Sequence, residues 1–149
     1  MFQIDHFKIT AEELPCLNYI NKDIAEAVSR TTIGRYYYYI FLKYRETIYH
    51  ALTVDGKNQM KSQRRNIHYL IQKIMANYYR TDISGKLKYL RDVRNLCDYE
   101  LDAIIDKNTI NKAKLIVFYL EREITSIKAG AQLNNAFIKA LKDIKHPIK

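Results

Sequence analysis

Between about Asp23 and Leu52 the chain sets apolar residues at Tyr37, Phe41, Tyr44, Ile48 and Leu52, spaced by four, three, four and four, which is the repeat of one buried helix face. The same period returns from about Met60 to Tyr79, where Ile67, Ile71, Ile74 and Tyr78 form one face and Lys61, Arg64 and Arg65 the opposite one. Leu87, Leu90, position 94, Cys97 and Leu101 predict a further helix over about Gly85 to Leu101, with an arginine, Arg94, in the middle of its apolar stripe. From about Asn108 to Lys128 a capping asparagine precedes the stripe Ala113, Val117, Leu120, Ile124 and Ile127, which ends against Gly130. A last helix carries Leu133, Phe137, Ala140 and Ile144. A short first helix is expected to start at Thr10, because Thr10-Ala11-Glu12-Glu13 has capping-box spacing. Val54-Asp55-Gly56-Lys57-Asn58 reads as a loop, and Gly34 marks a place where the second helix bends or splits. Short connections between amphipathic helices make antiparallel neighbours. The pattern therefore predicts an all-α, up-and-down helical bundle of about five to six helices, forming a single domain over 1–149.

Composition supports that class. Only 4 Gly and 2 Pro in 149 residues are too few turn formers for a sheet protein, while 48% hydrophobic residues keep the chain out of the disordered range. Twenty-five Lys and Arg against 16 Asp and Glu leave a net charge of +9, which favours an acidic partner, nucleic acid before anionic membrane. The longest uncharged apolar stretch, Tyr36 to Leu42, is far shorter than the ~20 residues of a spanning helix, and Met1 to Asp5 has no basic segment leading into an apolar one. Neither a membrane span nor an export signal is expected. Cys16 and Cys97 have no metal-type or redox-type spacing, which fits free thiols in a cytoplasmic protein.

Dinucleotide, Walker, zincin and nucleophile-elbow motifs are all missing, and the histidines at 6, 50, 68 and 146 are too scattered to suggest a metal site. No cofactor and no metal are expected. A paired helix-turn-helix is also lacking. Arg94 is the anomaly, since a guanidinium on an apolar stripe is seldom buried alone. One reading pairs it locally with Asp98, one turn later. The other has it line a cleft and meet a phosphate in its fork geometry, with Asn95 and Tyr99 close by. Tyr36, Tyr37, Tyr38 and Tyr39 cover nearly every face of their helix and suit a central, packed element better than a base-stacking platform. The basic run from Lys61 to Lys73 is either a solvated face or a phosphate-backbone contact. His68, at the edge of the Ile67 and Ile71 stripe, is either a packing residue or a base with an ordinary pKa near ~6.5.

Three segments together resemble a known family. Gly34-Arg35-Tyr36-Tyr37-Tyr38-Tyr39-Ile40-Phe41, followed by Lys43-Tyr44, is similar to the S/G-R-x-Y-Y-A-x-F-x-A-A signature of the HEPN superfamily. Arg94-Asn95-Leu96-Cys97-Asp98-Tyr99 resembles the R-x-x-A-D-Y motif of its small prokaryotic branch, with Cys97 in place of alanine. Between them, Arg64-Arg65 and His68 resemble that branch's K-x-H-like stretch, and order and spacing agree over roughly residues 24 to 128.

The resemblance implies a helical bundle that forms a homodimer. It also implies action on RNA in toxin–antitoxin or phage-defence systems, often as a metal-independent endoribonuclease. In such proteins an arginine steadies the phosphate charge and a histidine four to six residues later assists the ribose 2′-OH. Here Tyr99 stands where that histidine would be, and a phenol with a pKa of ~10 is a poor base at neutral pH. Two accounts follow from the resemblance. In one, Arg94 holds the phosphate, Asn95 orients substrate and His68 or Tyr99 carries the proton, while Arg35, Arg64, Arg65 and Arg91 contact RNA. In the other, the protein is a catalytically silent module that binds RNA, a nucleotide, or a partner such as a nucleotidyltransferase or antitoxin, with Tyr99 a candidate modification acceptor.

Overall fold

The computed structural model describes residues 3–16 and 21–145, and among these the protein is all-α, with no strand. The helices are α1 (Asp5–Glu13), α2 (Lys22–Ala51), α3 (Val54–Ser62), α4 (Ile67–Asn77), α5 (Thr81–Tyr99), α6 (Lys107–Glu123) and α7 (Ala131–Lys145). No described helix is long and apolar enough to cross a membrane.

The long helix α2 passes through Gly34 without a break, so it is not split there. α1 starts five residues before Thr10, whose hydroxyl donates back to the carbonyl of His6 at 2.7 Å instead of capping an N-terminus. The segment expected as a loop at 54–58 is the first half of α3. Thr53 is extended and its Oγ1 accepts the Gly56 N–H at 3.3 Å, which supplies the N-cap that an Asp-Gly turn reading overlooks. α3 and α4 are thus two helices where one was expected. α4 ends in a Schellman motif, in which Arg80 N–H donates to Met75 O at 2.9 Å and Tyr79 N–H to Ala76 O at 3.3 Å. Tyr79 takes the left-handed conformation this motif requires, at φ 62°. α5 begins at Thr81, earlier than the expected Gly85, with Asp82 in its first turn, where a carboxylate complements the helix dipole. For α6 the cap is Asp106, not Asn108: Asp106 Oδ1 accepts both the N–H and the hydroxyl of Thr109 at 2.7 Å.

The chain divides into two compact units, residues 1–43 with 88–121 and residues 44–87 with 122–149, with the boundaries falling inside α2, α5 and α6. In the first unit, Ile33, Tyr36, Tyr37, Tyr39, Ile40 and Phe41 of α2 are buried, as are Leu90 and Cys97 of α5 and Val117 and Leu120 of α6. The tyrosine run is therefore core at three of its four positions, and only Tyr38 is half-buried. In the second unit α4 packs along α7, burying Leu70, Ile71, Ile74 and Met75 on one helix and Leu133, Ala136, Phe137 and Ala140 on the other.

Candidate functional site

The first unit gathers arginines from both of its motif helices. From α2 come Arg30 and Arg35, and from α5 come Arg91 and Arg94. An open cleft of about 310 Å³ is lined by the first two of these, Arg30 and Arg35, with Thr31, Gly34, Tyr38 and Asp98. At Gly34 a Cβ would meet nothing within 4 Å, so the glycine leaves that stretch of α2 open.

Arg94 meets the cleft through two of its lining residues. Its Nη2 donates to the Tyr38 hydroxyl at 2.8 Å and its Nε lies 2.7 Å from Asp98 Oδ2. Its Nη1 donates to Asn95 Oδ1 at 3.1 Å. The Nε–H is not aimed along the line to Asp98, so that contact is an ion pair without hydrogen-bond geometry. The i,i+4 pair with Asp98 expected from the sequence exists, and Arg94 touches two lining residues of the cleft, Tyr38 and Asp98, without itself lining it. The guanidinium also makes cation–π contacts, with the Tyr38 ring centroid 5.3 Å and the Tyr99 centroid 6.0 Å from its central carbon. Tyr99 is 71% exposed, so one of those rings presents a free face.

Arg35 is exposed and lies over the Phe7 ring at 5.2 Å, on the rim of the cleft. Arg91 is half-buried, with Asp92 Oδ1 at 3.7 Å. Arg91 and Arg94 both act electrostatically on Tyr37, whose hydroxyl is driven well above the usual phenol range by burial, with the two cations working against that rise. Nearby, burial pushes Tyr36 up to about 12, and the charges of Glu12 and Cys16 add to it. Neither phenol ionises at neutral pH.

Arg30 is the site residue the sequence reading missed. Its Nη1 donates to the carbonyls of Cys97 and Glu100 at 2.8 and 3.1 Å, and its Nη2 to those of Leu101 and Ala103 at 2.9 and 2.6 Å. One side chain on α2 thus closes the open carbonyl end of α5 and holds the turn after it. The signal was present: Arg30 precedes Gly34 by four residues and Tyr37 by seven, so it is a charge on an apolar face, the same anomaly as Arg94.

Of the residues singled out from the sequence, Arg35, Arg91, Arg94, Asn95 and Tyr99 lie in this unit. His68, half-buried on α4, and the exposed Arg64 and Arg65 in the turn at 63–66 belong to the second unit. Leu101, expected to continue the α5 stripe, lies beyond the helix end and is 81% exposed. Among the described residues no group of three or more His, Cys, Asp or Glu side chains is arranged to hold a metal ion, and His146 lies outside them.

No family model matches the chain. No solved structure matches it either. It is similar to the uncharacterized protein MJ0992 of Methanocaldococcus jannaschii, at 32% identity over 157 aligned positions that cover 97% of this chain and 86% of that one.

Proposed function

This chain belongs to the family of the archaeal protein MJ0992, and we propose that it is a HEPN-type protein that acts on RNA, with the Arg94 cleft as its phosphate site. The observation that carries this reading is how Arg94 is held. Asp98, Asn95 and Tyr38 fix its guanidinium from three directions, yet a guanidinium has five N–H groups and one on each terminal nitrogen is left over from these bonds. Those spare N–H groups are the donors that a phosphate would take in this reading. The exposed face of Tyr99 beside it suits an unpaired base, the usual way single-stranded RNA is gripped, and Arg35 adds a second cation on the rim.

In this reading the protein works as a cytoplasmic homodimer in a prokaryotic toxin–antitoxin or phage-defence system, with a cognate antitoxin or nucleotidyltransferase as partner. As a metal-independent endoribonuclease it directs the ribose 2′-oxygen onto its neighbouring phosphorus. The new 2′-O–P bond forms as the P–O5′ bond breaks, Arg94 stabilises the charge on the phosphoryl oxygens, and Asn95 orients the substrate. The sequence offers His68 or Tyr99 to carry the 2′-OH proton; His68 belongs to the second unit, so within the first unit the carrier is Tyr99, and water protonates the departing 5′-oxygen. A second reading, a module that binds RNA without cutting it, is favoured by a specific observation: the residue at the motif's histidine position is Tyr99, an exposed phenol. In that case its hydroxyl is the acceptor for modification by the partner nucleotidyltransferase.

The test is to incubate the purified protein with mixed-sequence RNA in EDTA beside Arg94→Ala, scoring both cleavage and retention on a filter. Cutting by the wild type alone supports the nuclease, and binding without cutting, lost in Arg94→Ala, supports the silent module. RNA left intact and unbound by both proteins, or handled equally by both, refutes the site.

A further inference from the structure

The second unit contains a larger cleft, one that Arg94 does not line and that includes Arg64, one of the arginines expected to contact RNA. It is open to solvent, has a volume of about 570 Å³, and lies between the last turns of α2, the end of α3 and the start of α4. Arg45, Lys61 and Arg64 line one part of it, and Tyr49, Met60 and Ile67 supply an apolar surface. We propose that this cleft binds a nucleoside monophosphate, with the phosphate on Lys61 and Arg64 and the base against Tyr49, Met60 and Ile67.

Charge selects the phosphate. The one acidic lining residue, Glu46, is already committed to Arg45, whose Nη2 and Nε approach its Oε1 at 2.7 and 3.1 Å, while its other oxygen lies 3.7 Å from His50 Nε2. That leaves Lys61 and Arg64, both exposed and neither in an ion pair among the described residues, with Lys57 one turn before Lys61. Two uncompensated cations match a phosphate monoester, which carries about −1.5 to −2 at neutral pH, better than an internal phosphodiester with its single charge.

The aromatic part of the cleft selects what the phosphate is attached to. Lys57 and Lys61 rest over the Tyr49 ring, with their ammonium nitrogens 5.8 and 5.4 Å from its centroid. At an exposed site such contacts are weak. A base that takes the ring face frees both ammonium groups to turn onto the phosphate, so the two halves of the ligand reinforce each other. The volume lies within the range of small-molecule sites and exceeds what an isolated phosphate would fill.

This inference does not depend on RNA being bound or cut at Arg94. Its test is calorimetric titration of the full chain at low salt with 5′-AMP, adenosine and inorganic phosphate. AMP is expected to bind at least tenfold more tightly than either fragment. Arg64→Glu and Lys61→Glu, which reverse exposed charges, are expected to weaken AMP at least tenfold, and Lys114→Glu, an equal charge change on α6 of the first unit, less than twofold. A pentaribonucleotide with a 5′-phosphate is then compared with the same strand ending in a 5′-hydroxyl. If the phosphorylated strand alone binds like AMP, the ligand is an RNA end, and if neither binds, it is the free nucleotide. No AMP binding at millimolar concentration, inorganic phosphate binding as well as AMP, or AMP affinity unchanged in Arg64→Glu would each overturn the proposal. The last result would move the nucleotide to another site, the first unit's cleft included.

Discussion

Replacing Arg30 by alanine removes a cap that no other side chain among the described residues supplies. A helix leaves its final carbonyls without partners, and at the end of α5 the Leu96 carbonyl accepts the Glu100 N–H while that of Cys97 depends on Arg30. Arg30 also holds the carbonyls of Glu100, Leu101 and Ala103. Its side chain is only 15% exposed. The bonds to Cys97 and Ala103 are partly buried, and those to Glu100 and Leu101 are exposed, so water replaces the second pair at little cost. Leaving two partly buried acceptors unpaired costs about 1–3 kcal/mol each, and partial access to water keeps the sum near the lower end, about 2–4 kcal/mol. The lost surface pair with Glu26 adds under about 1 kcal/mol. Arg30→Lys keeps the charge but not the planar fork and should fall between the two. Urea unfolding followed by helical circular dichroism measures all three proteins, with the slope expected to stay constant. Hydrogen exchange at the amides of residues 96–103 should quicken in Arg30→Ala before exchange elsewhere in the first unit. A stability loss below about 1 kcal/mol, or a lysine variant as stable as wild type, would refute the cap as the source of the effect.

Other consequences can be checked with simple measurements. Burial pushes the Cys97 thiol up to about 11, against the opposing charge of Arg30, while Cys16 is exposed. A disulfide reagent at neutral pH should therefore titrate one thiol in the native protein and two in denaturant, and two fast native thiols would contradict the packing of α5. Tyr79 holds a left-handed conformation with its ring 83% exposed, so Tyr79→Gly should raise stability by about 0.5–1 kcal/mol, whereas a loss would mean the ring makes contacts that outweigh the strain. The Asp106 carboxyl is held below its ordinary range, first by the Thr109 hydroxyl and then by the backbone N–H groups of Thr109 and Asn108. Its stabilising effect is present above the unfolded carboxylate pKa of about 4 and disappears as pH falls through the lower folded value, so the Tm gap to Asp106→Ala should close on acidification. A gap that stays constant from pH 7 to strong acid would contradict that linkage.

The helices legible in the sequence are those with a strong stripe. α2, α6 and α7 follow the four-and-three spacing of residues that prove buried, such as Ile48, Val117 and Phe137, because periodic burial is what the spacing encodes. α3 was hidden for the opposite reason. Its residues are mostly polar, Val54 at its start is 77% exposed, and Met60 is its only large buried side chain, so a single capping hydroxyl and one anchor make the helix. At the candidate site the legible part was Arg94, since its conflict with the stripe can be seen in one dimension. Its partnership with Tyr38 could not be, because it joins positions 56 apart. Arg30 was less visible still, because its partners beyond Glu26 are backbone carbonyls, which every residue has.

Arg30 and Arg94 look alike in sequence and cross-link the same two helices in opposite directions, yet the same substitution should separate their roles. Arg30 holds two partly buried carbonyls, those of Cys97 and Ala103, that water reaches poorly. Arg94 binds a carboxylate that is 38% exposed, a neighbouring asparagine and a phenol, all of which can turn to water or to other partners when it is gone. An arginine kept on an apolar stripe for stability alone would be a poor choice, since an apolar side chain of similar length serves there as well or better. Arg94→Met should therefore leave unfolding free energy within about 1 kcal/mol of wild type, while RNA retention on a filter falls to background. Urea unfolding and the binding assay on the same preparation decide it. A loss above about 2 kcal/mol would make Arg94 a brace like Arg30, and undiminished RNA binding in a stable Arg94→Met protein would take the phosphate site away from this cleft.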